Sequence, residues 1–221
     1  KLTKEKRELE KAVADLYDDI DKLVKEMNLF ASATSLTRLN EEFDVLSNKL
    51  DIVKSKMEYA QGINKSKLME ESIRLMNEQL ETQNQMITEN KKQMKVYQDY
   101  LGSINFEFDN MGNITNYDYA IGRYRDNTDL QKVIDLCEEY FEIQSEVRDL
   151  TADYYDLSNA IKDAYKEQLE ITRDIEEEIT EILEKEHEKR EKEIKDETDK
   201  RIKLLNDELE AYKDLRDKQN Y

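Results

Sequence analysis

No proline interrupts these 221 residues, and only four glycines do. Turns draw on both, because Gly reaches positive φ without strain and Pro presets φ for a turn. A multi-stranded sheet or an α/β domain needs a turn roughly every ten to fifteen residues. Four glycines cannot supply that many, which leaves long helix. With 40% of the residues charged, disorder is the competing reading. Thirteen Tyr, five Phe and seven Met at regular spacing oppose it, since disordered chains are poor in such residues. The expected class is all-α.

The apolar residues recur at alternating steps of three and four, the period of a helix that hides one narrow stripe. Leu9, Val13, Leu16, Ile20, Leu23, Met27 and Phe30 form one run. The segment Ala31 to Ser35 breaks phase, and Leu36, Leu39, Phe43, Leu46, Leu50, Val53, Met57 and Ala60 form a second. Another break falls at 61–68, around Gly62. A third run reads Met69, Ile73, Met76, Leu80, Gln83, Ile87, Asn90, Met94, Tyr97 and Leu101. At such breaks a helix changes pitch, kinks or ends in a short turn.

The second half carries one seam through Val133, Leu136, Tyr140, Ile143, Val147, Leu150, Tyr154, Leu157, Ile161, Ala164, Gln168, Ile171, Ile175 and Ile182. From Glu184 to Arg201 only His187, Ile194 and Thr198 are uncharged. Such a run sustains a solvated helix through Glu–Lys pairs but buries no core. A weaker seam returns at Ile202, Leu205, Leu209, Tyr212 and Leu215.

Residues 102–127 differ in kind. They hold Gly102, Gly112 and Gly122. Ile104-Asn105-Phe106-Glu107-Phe108 alternates as a strand does, Ile114 to Tyr117 does so again, and Asp109 to Asn113 between them is turn chemistry. This predicts a β-hairpin-like tip. Thr128 and Asp129 offer cap oxygens before the next helix.

The expected organisation is therefore a coiled-coil arm at 1–101 with its two phase breaks, a tip at 102–127, a second coiled-coil arm at 128–183 and a charged helical extension at 184–221. An antiparallel helical hairpin is favoured over a parallel bundle. The residues expected to pack the seam are Leu16, Ile20, Leu46, Leu50, Leu80, Ile87, Met94, Leu150, Leu157, Ile161, Ile171 and Ile175. A chain that starts at Lys1 without Met reads as an excerpt from a longer protein.

Charge narrows the partners. Lys and Arg number 35 against 53 Asp and Glu, a formal net charge of −18. That balance disfavours phosphate backbones and anionic membrane surfaces, and no stretch approaches the ~20 apolar residues of a membrane span. The expected partners are proteins, either further copies of the chain or other coiled-coil proteins, with homo-oligomerisation possible. No catalytic, cofactor-binding or metal residues are assigned. Glu107 to Asp118 has the outline of a calcium loop, yet Met111 stands at its fifth ligand position and its flanks read as strand. Cys137 among Leu136 and Phe141 reads as a small buried hydrophobe. Phe106, Phe108, Tyr117, Tyr119, Arg123, Tyr124 and Arg125 cluster in the tip, where aromatic and Arg side chains form either a docking patch or the tip's own core.

The phrase Phe108-Asp109, then Gly112-Asn113-Ile114-Thr115-Asn116-Tyr117, set between heptads, resembles the helical segments of bacteriophage tail tape-measure and related virion structural proteins. That resemblance implies an extended helical protein of the virion's tail lumen, whose length sets tail length, with no catalytic residues. A cellular or phage coiled-coil adaptor or spacer, binding a protein through the tip, is the alternative, and without the resemblance the expected location is the cytoplasm.

Overall fold

The computed structural model describes residues 2–124 and 129–219. Arg125 and Thr128 lie outside the described residues, as do the side chains of Leu9 and Leu215. The fold is all-α: α1 (Leu2–Met57), α2 (Gly62–Ser103), the short α3 (Tyr117–Gly122) and α4 (Leu130–Gln219). No Gly or Pro falls within α1 or α4, so nothing local ends a helix once it has started.

The chain reverses at Glu58–Gln61. Tyr59 and Ala60 donate tight three-residue bonds to Lys56 and Met57, at 3.3 and 3.2 Å. Gly62 then takes φ +54°, a conformation that costs a side-chain-bearing residue energy. The second phase break is thus a turn, and α2 runs back along α1: Ser47 meets Gln79, and Ser32 meets Glu89. The first phase break neither kinks nor ends the helix, and α1 continues through 31–35.

Helix α2 is the shared partner, with α1 packed along one side of it and α4 along another. Gln98 meets Tyr140, and Ile73 shares a groove with Tyr165, so α2 and α4 also run in opposite directions. Two stripes of α2 are therefore buried. Met69, Ile73, Met76 and Ile87 belong to the apolar run. Ser72, Leu75, Gln79, Thr82, Met86 and Gln93 make a second stripe, also at steps of three and four but largely polar. Ser47 and Ser32 bond to this second stripe and its neighbour Glu89, which identifies it as the α1-facing side.

One core joins Leu46, Leu50 and Val53 of α1 to Met69, Ile73, Leu75 and Met76 of α2 and to Ile161 and Ile171 of α4. Leu80, Leu157 and Ile175 pack half-buried against it, and Ile87 is buried further along α2. Leu150 is half-buried. Leu16 and Ile20 differ: they are 59% and 49% exposed.

Extending these pairings along the axis, the start of α2 lies level with about residue 176 of α4, and its end with about residue 21 of α1. Burial follows that limit. Ile175 is the last residue of α4 that is not exposed among those described. About 43 residues of α4 therefore project beyond α2 at one end, and about 20 of α1 project at the other.

Candidate functional site

The best-defined site is the tip, where α2, α3 and α4 meet. It begins with how α2 stops. Asn105 adopts φ +71°, and its N–H donates to the Gly102 carbonyl at 3.1 Å. The N–H of Phe106 donates to the Leu101 carbonyl at 3.0 Å, and Phe106 and Leu101 pack together in one cluster. Those two bonds and that apolar contact make a Schellman stop.

This corrects the strand reading of Ile104 to Phe108. Those residues alternate because one terminates a helix and the next covers its end. What remains of the hairpin is a single antiparallel bridge, Phe108 to Ile114. It is flanked by bonds from Thr115 N–H to the Glu107 carbonyl at 2.9 Å and from Asp109 N–H to the Asn113 carbonyl at 3.0 Å. No strand forms among the described residues.

Asp109, Gly112, Asn113 and Asn116 of the tip phrase each have a task in this turn. The Asp109 carboxylate accepts the N–H groups of Met111 and Asn113 and the Asn113 side-chain amide, all at 2.8 Å. The would-be calcium ligand is thus an Asx turn. Gly112 takes φ +81°, and a Cβ there would sit 2.9 Å from both Gln98 Nε2 and the Tyr140 hydroxyl. Its carbonyl accepts the buried Tyr140 O–H and, at 3.2 Å, the Gln144 amide. Asn116 accepts the Glu107 N–H and donates to the Asn105 carbonyl, tying the two sides of the loop.

The aromatic candidates divide. Phe106 is buried, and Phe108, Tyr117 and Tyr124 are half-buried against Leu101, Ala120, Val133, Cys137 and Tyr140. Phe108 meets Tyr140 edge-on at 5.5 Å between centroids, and Tyr117 lies 5.9 Å from Phe141. These rings hold the tip together. Tyr119, at 71% exposure, and Arg123 face solvent, and so does Met111 of the turn at 78%. Arg125 is outside the described residues.

Tyr140, Gln144 and Gly112 form the lock, and of these only Tyr140 stood on the expected seam. The sign for Gln144 was its place seven residues after Cys137, on the stripe that faces α2.

A shallow groove opens beside the tip where the three long helices approach. Leu29, Tyr97 and Leu136 line it, with Lys22, Glu26, Lys132, Asp135 and Glu139 around them. Met94 is half-buried against the tip cluster nearby. Lys25 lies 4.9 Å above the Tyr100 ring, whose hydroxyl reaches the Lys22 carbonyl at 3.5 Å.

Burial raises the pKa of Tyr97 and Tyr140, opposed in Tyr140 by the bond from Gln98. Burial also pushes the Cys137 thiol up to about 11. All three are thereby kept protonated, the reverse of nucleophile activation. His187 is solvent-exposed, 3.8 Å from Glu191 one turn on.

Asp109 makes the tip acid-sensitive. The hydrogen bonds from Asn113 above all hold its carboxyl below the usual range. A depressed carboxylate contributes stability above its unfolded pKa of about 3.9, and loses it as pH falls through the lower folded value. Glu71, Glu89 and Asp163 are held low by Arg74, Lys92 and Lys166 in the same sense. The comparison with Asp109→Ala isolates the tip. The near-ultraviolet signal of the tip tyrosines should melt at lower temperature in the variant at pH 7, and the gap should narrow as the Asp109 carboxylate is protonated in acid. A gap that persists unchanged into acid would contradict this role for the carboxylate.

Among the described residues, no helix is long and apolar enough to cross a membrane. No family model, curated protein or solved structure matches this chain.

Proposed function

We propose that this chain is a structural rod, a coiled-coil spacer whose residue count along one axis fixes a length. In the setting of the resemblance to tail tape-measure proteins, it serves as a ruler or scaffold inside a phage tail, its partners further copies or other virion proteins. The observation that carries this reading is α4, 90 residues in one helix, of which about 43 extend past the helix it packs on. A helix gains ~1.5 Å per residue whatever its side chains, so residue number translates into distance. The surplus of Asp and Glu keeps so long a surface soluble and resists unspecific association. The helical-hairpin unit of α2, tip and α4 gives the rod a stiff section, with the charged run 184–201 as a solvated continuation.

The test is dimensional. From the start of α1 to the end of α4 the axial span is about 150 Å, to be read by small-angle scattering or electron microscopy. Removing residues 184–204 should shorten it by about 30 Å, and should shorten by a matching step any tail into which the chain assembles. A maximum dimension near that of a globular protein of this size, or an unchanged tail length, would overturn the ruler.

The second reading is an adaptor that binds protein through the tip, favoured by the exposed Met111 of the turn and Tyr119 of α3. It predicts loss of binding, with length unchanged, on Met111→Ala and Tyr119→Ala.

A further inference from the structure

We infer that α1 carries a docking face for a second copy of this chain, with two α1 helices lying side by side, parallel and in register, over residues 13–30. The phase break at 31–35 separates two apolar stripes on α1. On a continuous helix at about 100° per residue, the break turns the apolar stripe by about half a turn. The second run, from Leu36 to Val53, faces α2, where Leu39, Leu46, Leu50 and Val53 are buried. In the first run's own region, α1 meets α2 through other residues: Lys22 and Lys25 lie against Tyr100, and Ser32 bonds to Glu89. Val13, Leu16, Ile20, Leu23, Met27 and Phe30 point the opposite way and are 44–75% exposed. One helix thus presents two seams, and among the described residues its own chain covers one of them.

The occupant follows from the heptad. Val13, Ile20 and Met27 fall at a, and Leu16, Leu23 and Phe30 at d. Branched Val and Ile at a with Leu at d is the arrangement that favours two parallel strands. The flanking charges agree. In parallel register, Ala12, Asp19 and Glu26 at g face Tyr17, Val24 and Ala31 at e, and no like charges meet. An antiparallel pair would bring g against g, setting Asp19 and Glu26 against acids of the partner. A second α1 in register completes the seam without conflict. The inference does not depend on the ruler reading: a rod of the expected length stands whether or not it dimerises.

The test uses the full chain. Sedimentation equilibrium is expected to give twice the chain mass. Ile20→Glu combined with Leu23→Glu should raise the dissociation constant on the order of a hundredfold or more, because each places a charge in the buried seam. The thermal transition of the α2–α4 section, read by the tip tyrosines, should stay in place and show that the variant still folds. Independently, Leu16→Cys should oxidise to a disulfide-linked dimer, while the unaltered chain, its Cys137 buried, should not. A monomer at tens of micromolar would overturn the inference. So would a trimer, or a dimer that the Glu pair leaves intact. Cross-linking of Leu16→Cys to Leu205→Cys in a mixture, in place of Leu16→Cys to itself, would replace it with head-to-tail joining through α4.

Discussion

Replacing Tyr140 with Ala is expected to destabilise the tip by about 3–5 kcal/mol, the range for removing a large buried aromatic. Tyr140 has no exposed surface. Its ring packs on Phe108 and Phe141, at 5.5 and 6.0 Å between centroids. Its hydroxyl gives its proton to the Gly112 carbonyl and takes the Gln98 amide at 2.9 Å. Three segments therefore lose a partner together: the end of α2, the loop and α4.

Tyr140→Phe separates the two contributions. It keeps the ring but leaves Gln98 Nε2 without its acceptor and the Gly112 carbonyl with Gln144 alone, which should cost about 1–3 kcal/mol. Gly112→Ala attacks the same lock from the loop, through its positive φ and the 2.9 Å approaches. Chemical denaturation followed by tyrosine fluorescence reads all three. Should Tyr140→Ala cost less than about 1 kcal/mol, the loop would not be held by α4, and the tip would be an independent appendage.

Asn90→Leu is expected to act in the other direction, raising stability by about 2–4 kcal/mol. Asn90 is fully buried in α2, and neither its Nδ2 nor its Oδ1 has a hydrogen-bond partner. An unsatisfied buried polar atom costs about 1–3 kcal/mol. Leucine removes two of them and adds apolar burial, against some crowding from its greater volume. Gln83 Oε1, seven residues earlier on the same stripe, is likewise unpartnered, so Gln83→Leu should stabilise in the same sense by a smaller amount. Polar seam residues of this kind can hold register at a cost in stability. The stabilised variant is therefore expected to show a higher unfolding midpoint with its association state unchanged by sedimentation. If Asn90→Leu lowers the midpoint, the buried amide does not cost the fold what its lack of partners implies, and the account is overturned.

How much of this was legible in the sequence depends on which stripe is considered. The α4-facing run of α2, Met69 to Leu101, and its counterpart on α4 are apolar enough to stand out at steps of three and four. The α1-facing stripe is not. Ser72, Gln79, Thr82 and Gln93 are buried there, yet a count of hydrophobic residues ignores each of them. The available sign was negative: in a chain with 40% charge, residues 72, 75, 79, 82 and 86 carry none. In the tip, alternation suggested strands where Asn105 and Phe106 complete a helix stop, because a period of two over five residues does not distinguish a strand from a loop whose side chains happen to alternate. Phe106, Phe108 and Tyr117 were identified as special on composition, and their packing inward, with Tyr119 and Met111 outside, came from the three-dimensional contacts.

By itself the sequence determined that this chain is helical and elongated. That follows from local chemistry: without Pro, and with Gly only at positions 62, 102, 112 and 122, nothing breaks the backbone hydrogen-bonding of the long helices. Only the tertiary structure decided which stripe meets which. A heptad states that a surface needs cover and is silent on whether the cover is the next helix, a distant one or another molecule. The direction of the chain at Glu58–Gln61, the polar face that α2 gives to α1, and the half-turn that leaves Val13 to Phe30 facing solvent are consequences of pairing in space, where each helix's free energy depends on the others present.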